Sequence, residues 1–197
     1  MESQENPGVV KTIAVIGANP EGRRIALVSI LAGYQAVLED VSPQSVERAA
    51  EWIQQQLQGN ADKEATLSFL TTATRIEDAI RDADLIIESV PDELEMKLEL
   101  FTIFDKFAKP GAIFASTSAT LSVGDITDVT IFRERCIGLR FASSPGHGDV
   151  IELIRTRLTS DETLAACQEV ALRLASEVVI HSEAEGTPVA RADRAKL

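Results

Sequence analysis

Residues 11–22, KTIAVIGANPEG, constrain the fold more than any other stretch of the chain. Thr12 to Ile16 is a run rich in β-branched apolar residues that favours a strand, Gly17 opens a turn, and Arg23 to Ala32 carries the amphipathic spacing of a helix. Strand, glycine turn and helix in this order begin a dinucleotide-binding unit. In such a unit the first glycine permits the tight turn, the second lets the backbone approach a pyrophosphate, and the third lets helix and strand pack closely. Gly17 and Gly22 fill the first and third places, but Asn19 fills the second and Pro20 follows it. Asn19 adds a side-chain amide where phosphate would sit, and Pro20 removes an N–H donor. The turn Gly17, Asn19, Pro20, Glu21 and Gly22 is therefore expected to hold NAD weakly. Gln35 to Glu39 reads as the next strand and closes on Asp40. An acid about twenty residues past the glycine turn accepts hydrogen bonds from an adenosine ribose and repels a 2′-phosphate, which favours NAD over NADP. The plainer reading of Asp40 is an ordinary strand-end acid.

The remainder alternates in the same way. Ser42 can cap a helix with Pro43 at its first position, and Val46, Ala49, Ile53 and Leu57 recur at helical spacing until Gly59, with Trp52 off that stripe. A polar link or short helix over 60–68, a short strand over 69–74 and a short helix over 76–81 precede the apolar strand Ala83 to Ser89. Leu94, Leu98, Phe101, Phe104 and Phe107 predict an amphipathic helix that stops at Pro110-Gly111. Strands over 112–116, 136–141 and 150–154 follow, with a short helix over 120–129. Thr159 and Glu162 suggest a capping box for a helix reaching Ala175, and 177–181 reads as a last strand. These elements predict an α/β Rossmann-type, doubly wound and mostly parallel sheet in one domain over 11–188, between tails at 1–10 and 189–197.

A net charge of −12 argues against nucleic acid and against an anionic membrane surface as partners. Cys136 and Cys167 have no metal or redox spacing and read as buried thiols in a reducing compartment. With no apolar run long enough to span a bilayer and an acidic, polar start, the expected location is the cytoplasm.

Four longer segments carry a resemblance: KTIAVIGANPEGRRIALVSILAGYQAVLEDVS, DADLIIESVPDELEMKLELF, KPGAIFASTSATLS, and ERCIGLRFASSPGHGDVIELIRT with TSDET after it. In order and spacing they resemble the NAD-binding domain of 3-hydroxyacyl-CoA dehydrogenases from Lys11 to about Pro188, and the chain ends where the family's second, helical domain would begin. That resemblance implies NAD as cofactor, with Asp40 on the ribose, Ser89 and Val90 along the dinucleotide, Lys97 as a cofactor-contacting lysine, and Asp92 where the family more often has glutamate. Taken alone, Asp92 also suits a helix start and Lys97 a solvated helix face. It also admits an acyl-CoA-type small molecule and a homodimer.

The family's catalytic set is not carried over. Where it has a histidine base this chain has Arg140, its asparagine is Ser143, its serine is Ala119, and only the orienting glutamate, Glu152, remains. A guanidinium stays protonated and cannot act as a general base. His147, in the following loop, is the replacement base to consider. Arg140 and Glu152 are expected to meet as a salt bridge. Three readings follow: a catalytically impaired NAD-binding relative, an active NAD-dependent oxidoreductase helped by a partner chain, or a structural or interaction protein that binds no nucleotide.

Overall fold

A computed structural model describes residues 9–144 and 148–183, and the backbone of 187–193, with backbone alone at 143, 144 and 148. The glycine turn lies between β1 (Thr12–Ile16) and α1 (Pro20–Leu31), and β2 (Gln35–Glu39) runs parallel to β1. After them come α2 (Pro43–Gln56), α3 (Lys63–Leu67), β3 (Leu70–Ala73), α4 (Ile76–Ile80), β4 (Leu85–Glu88), α5 (Leu94–Phe107) and β5 (Ile113–Ser116). The chain continues with α6 (Val123–Thr127), a 3-10 turn at Arg133–Arg135, β6 (Cys136–Ser144), β7 (Gly148–Arg155), α7 (Asp161–Leu174), β8 (Glu177–Ser182) and β9 (Thr187–Asp193). The sheet has the order β3-β2-β1-β4-β5-β6-β7-β8-β9, with antiparallel pairs only at β6–β7 and β8–β9. It is the mostly parallel Rossmann-type sheet that the alternating pattern predicts, and it carries one strand more. Pairing of β9 with β8 takes the sheet past Pro188, where the sequence reading began a tail.

Two cores form because the continuous apolar strands bury both faces. Ile13, Val15, Ala36 and Leu38 face Ile25, Ile30, Val46, Ala49 and Ile53 of α1 and α2, in a core that also takes in Cys167 and Val170 of α7. On the other face Ala14, Ile16, Ile86 and Phe114 meet Ile80, Phe101 and Phe104. Phe101, Phe104 and Phe114 stack there at centroid separations of 5.2 to 6.4 Å, in tilted and edge-on contacts. Ser42 caps α2 as expected. The cap of α7 differs from its prediction: Ser160, one residue later than Thr159, accepts from Thr163 N, while the Thr159 hydroxyl donates to the Cys136 carbonyl at 2.7 Å. The Thr159 oxygen also accepts from Thr156 N at 3.0 Å, so this hydroxyl is engaged in the loop before the helix. Both cysteines are free and buried, and burial pushes each thiol up to about 12, so neither is a nucleophile at neutral pH.

Candidate functional site

At the carboxyl ends of β1, β4 and β5, where the parallel strands open a crevice, the glycine turn takes a defined shape. Gly17 sits at φ 108°, and a Cβ there would lie 2.6 Å from the Ser89 carbonyl oxygen; one on Gly22 would run into the Gly17 carbonyl. The first and third glycines are therefore sterically required, as the motif demands. Asn19 is the N-cap of α1. Its Oδ1 accepts from Glu21 N and Gly22 N, each at 2.9 Å, and its Nδ2 donates to the Ser89 carbonyl. The carboxamide thus takes two of the amides that a phosphate would otherwise engage, and Pro20 offers none.

Asp40 is fixed beside this turn, with Oδ2 accepting from Ala18 N at 3.0 Å and Oδ1 from Ser42 N at 2.9 Å. Glu21, in the first turn of α1, reaches the end of β5, where the Thr117 hydroxyl donates to its Oε2 at 3.3 Å. Burial raises the Glu21 pKa above its ordinary value; the Thr117 hydrogen bond opposes this and the charge of Glu88 adds to it.

Lys97 is fully buried on the inner face of α5. Its ammonium donates to Glu88 Oε1 at 2.7 Å and to the Val90 carbonyl at 3.2 Å, and lies 3.3 Å from Asp92 Oδ1. Glu88 is completed by Val90 N at 2.6 Å and by the Ser116 hydroxyl at 2.8 Å. A buried charge is tolerated only when paired and hydrogen-bonded, and here every donor of the ammonium has a protein acceptor. The solvated helix face considered for Lys97 is corrected accordingly: Lys97 ties α5 to the end of β4, whose Glu88 in turn binds Ser116 of β5. Asp92 does not cap α5 either. Its Oδ2 accepts from Ala119 N, Thr120 N and the Thr120 hydroxyl at 3.1, 3.1 and 2.9 Å, fixing the loop after β5. Burial alone would raise the Asp92 pKa, but hydrogen bonds from Thr120, Ser118 and Lys97 outweigh it and hold the carboxyl at about 2.

Arg140 and Glu152 are cross-strand partners in β6 and β7, on the sheet face opposite Leu139, Ile151 and Leu153. The expected salt bridge between them is not formed. Arg140 Nε instead donates to the Ser118 carbonyl on the β5 side, while Glu152 Oε1 lies 3.6 Å from His181 Nε2 of β8 on the other. The two side chains lean to opposite neighbours: the guanidinium finds a carbonyl, while the carboxylate faces an imidazole whose buried Nε2 makes no hydrogen bond among the described residues. Val179 is the register partner of Glu152, and His181, two residues further along β8, projects from the same face. Sequence reasoning missed His181, since only strand order brings β8 beside β7. His147 lies outside the described residues, as does the side chain of Ser143.

A concavity of about 540 Å³ lies elsewhere, at the opposite end of β6, lined by residues including Ser122, Asp125, Arg133, Thr156 and Glu183. None of the crevice residues lines it. Among the described residues there is no cluster of histidine, cysteine, aspartate and glutamate able to hold a metal, and no helix long and apolar enough to cross a membrane.

Residues 12–184 match the family model of the 3-hydroxyacyl-CoA dehydrogenase NAD-binding domain. The chain belongs to this family. It is 29% identical to human mitochondrial hydroxyacyl-coenzyme A dehydrogenase, over 93% of this chain and 62% of that protein. It is 31% identical to 3-hydroxybutyryl-CoA dehydrogenase of Bradyrhizobium diazoefficiens, over 89% of this chain and 62% of that one. The solved 3-hydroxybutyryl-CoA dehydrogenase of Escherichia coli K12 superposes with a TM-score of 0.82 at 29% identity, over 90% of this chain and 39% of the other. The chain thus spans about 62% of the length of these curated relatives. Of the two positions the resemblance singled out, Arg140 lies against Ser118 and Glu152 faces His181.

Proposed function

We propose that this chain is a 3-hydroxyacyl-CoA dehydrogenase-like NAD-binding domain protein whose catalytic machinery is impaired. The observation that carries this reading is Arg140: a permanently charged guanidinium occupies the place of the base and is tied to the Ser118 carbonyl. Ala119 offers no hydroxyl and spends its N–H on Asp92, so a second family contact to substrate is also lost. The nucleotide crevice keeps Gly17, Gly22 and Asp40, but the Asn19 carboxamide competes with a pyrophosphate, so NAD binds weakly. An acyl-CoA-type molecule of fatty acid metabolism is the small-molecule partner we assign, and the cytoplasm the compartment, in keeping with two free buried thiols. We add a homodimer as the assembly.

A second reading, an active NAD-dependent oxidoreductase completed by a partner chain, draws on one observation: His181 beside Glu152 sets an imidazole next to the family's orienting carboxylate. Reversion tests the first reading. Arg140→His restores the imidazole on β6 but neither the serine nor the asparagine, and we expect no detectable reduction of NAD with 3-hydroxyacyl-CoA substrates. Measurable turnover from that single change would show a site far more intact than the impaired reading allows.

A further inference from the structure

The crevice is built against phosphate while its ribose end stays in order. Of the groups at the start of α1, Pro20 has no N–H, Glu21 N and Gly22 N are held by Asn19 Oδ1, and Arg23 N is held by the Asn19 carbonyl at 3.0 Å. The partial positive charge of the helix N-terminus is therefore already met by a built-in neutral acceptor. Directly beyond it the Glu21 carboxyl spans from the first turn of α1 to Thr117 after β5 and sets a carboxylate beside the turn. Most neighbouring cations are committed elsewhere: Arg24 pairs with Asp149, Arg140 is bound to Ser118, and Lys97 is spent on Glu88, Val90 and Asp92, while Arg23 lies over Trp52 at 4.4 Å with its buried Nε unpartnered among the described residues. By contrast, the two backbone amides on Asp40 fix its carboxylate and leave it acceptor capacity for a ribose diol.

We propose that this crevice takes a nucleoside in preference to its phosphorylated forms: the Asn19 carboxamide and the Glu21 carboxyl stand in the pyrophosphate's place, and Asp40 keeps the ribose. The inference rests on the reading of the crevice as a family nucleotide site and names the ligand class that the altered turn selects. An ordinary dinucleotide site gains affinity from each phosphate because the helix amides and dipole favour negative charge. Here each added phosphate has to displace the carboxamide and approach a carboxyl, so the gain is removed.

Calorimetric titration of the whole chain with adenosine, ADP and NAD, alongside amide chemical-shift mapping, tests this. Adenosine is expected to bind at least as tightly as ADP and NAD, with shifts at Gly17, Asp40 and Ser89. In Asn19→Gly/Glu21→Gln the order reverses and ADP gains about tenfold or more, since freed amides regain a hydrogen bond to a charged group. Glycine is well tolerated at an N-cap, and Glu21→Gln alone is isosteric and is expected to raise ADP affinity in the same direction. ADP or NAD binding tighter than adenosine to the wild-type chain overturns the proposal and leaves the nucleotide reading standing. Binding of none of the three at the crevice overturns both.

Discussion

Glu39, the last residue of β2, is 2% exposed, and its Oε1 has no hydrogen-bond partner among the described residues. Burial, then the charges of Asp40 and Glu77, raise its carboxyl from 4.5 to about 7. Between these values the folded chain holds a proton that the unfolded chain has released, so stability falls as pH rises through that window. At 1.36 kcal/mol per pH unit the full effect is about 3 kcal/mol, of which roughly 2 kcal/mol develops between about pH 5 and about pH 8. Glu39→Gln removes the ionisable group with little change of shape. The stability of the variant relative to wild type is expected to rise by about 2 kcal/mol across that range. Urea unfolding at both pH values, followed by circular dichroism and by the fluorescence of Trp52, the single tryptophan, measures the difference. A difference that stays constant with pH would mean that Glu39 titrates as an ordinary carboxylate and that the end of β2 is open to water.

Other substitutions probe the crevice from different sides. Gly22→Ala drives a methyl into the Gly17 carbonyl and is expected to lower the urea midpoint by the equivalent of about 3 kcal/mol or more, whereas Ala at Gly59, with nothing near its Cβ, suffers only from its positive φ. Lys97→Met leaves Glu88 buried without its cation and should cost about 3–5 kcal/mol in the same assay; adding Glu88→Gln should recover much of that loss. Asn19→Gly should tighten NADH binding by about 1–2 kcal/mol in a calorimetric titration, and unchanged affinity would clear the turn of blame.

Much of the fold was legible because the strands are continuous apolar runs and the helices carry clean apolar stripes. The turn was legible in the same way, since Gly17, Asn19 and Gly22 act through local backbone geometry, and the Asn19 carboxamide caps the helix. The solvated reading of Lys97 failed although a signal existed: it lies four and seven residues before Phe101 and Phe104, on the stripe that faces the core, with Glu88 closing the neighbouring apolar strand. The Arg140–Glu152 pair failed for a reason that sequence does not carry. Register made them neighbours, but Arg140 reaches the Ser118 carbonyl beyond β5, and His181, which faces Glu152, enters only through strand order. Strand β9, TPVARAD, is polar, contains a proline and lies at the sheet edge, where no apolar pattern is required to mark it.

Steady-state reduction of NAD by the wild-type chain, with a panel of 3-hydroxyacyl-CoA thioesters of different acyl length, tests most directly whether catalysis has been lost. With Arg140 in the base position and no hydroxyl at Ala119, the rate of NADH formation is expected to stay at that of the enzyme-free control for every thioester. Turnover near family levels with any of them, at any pH, would contradict the account.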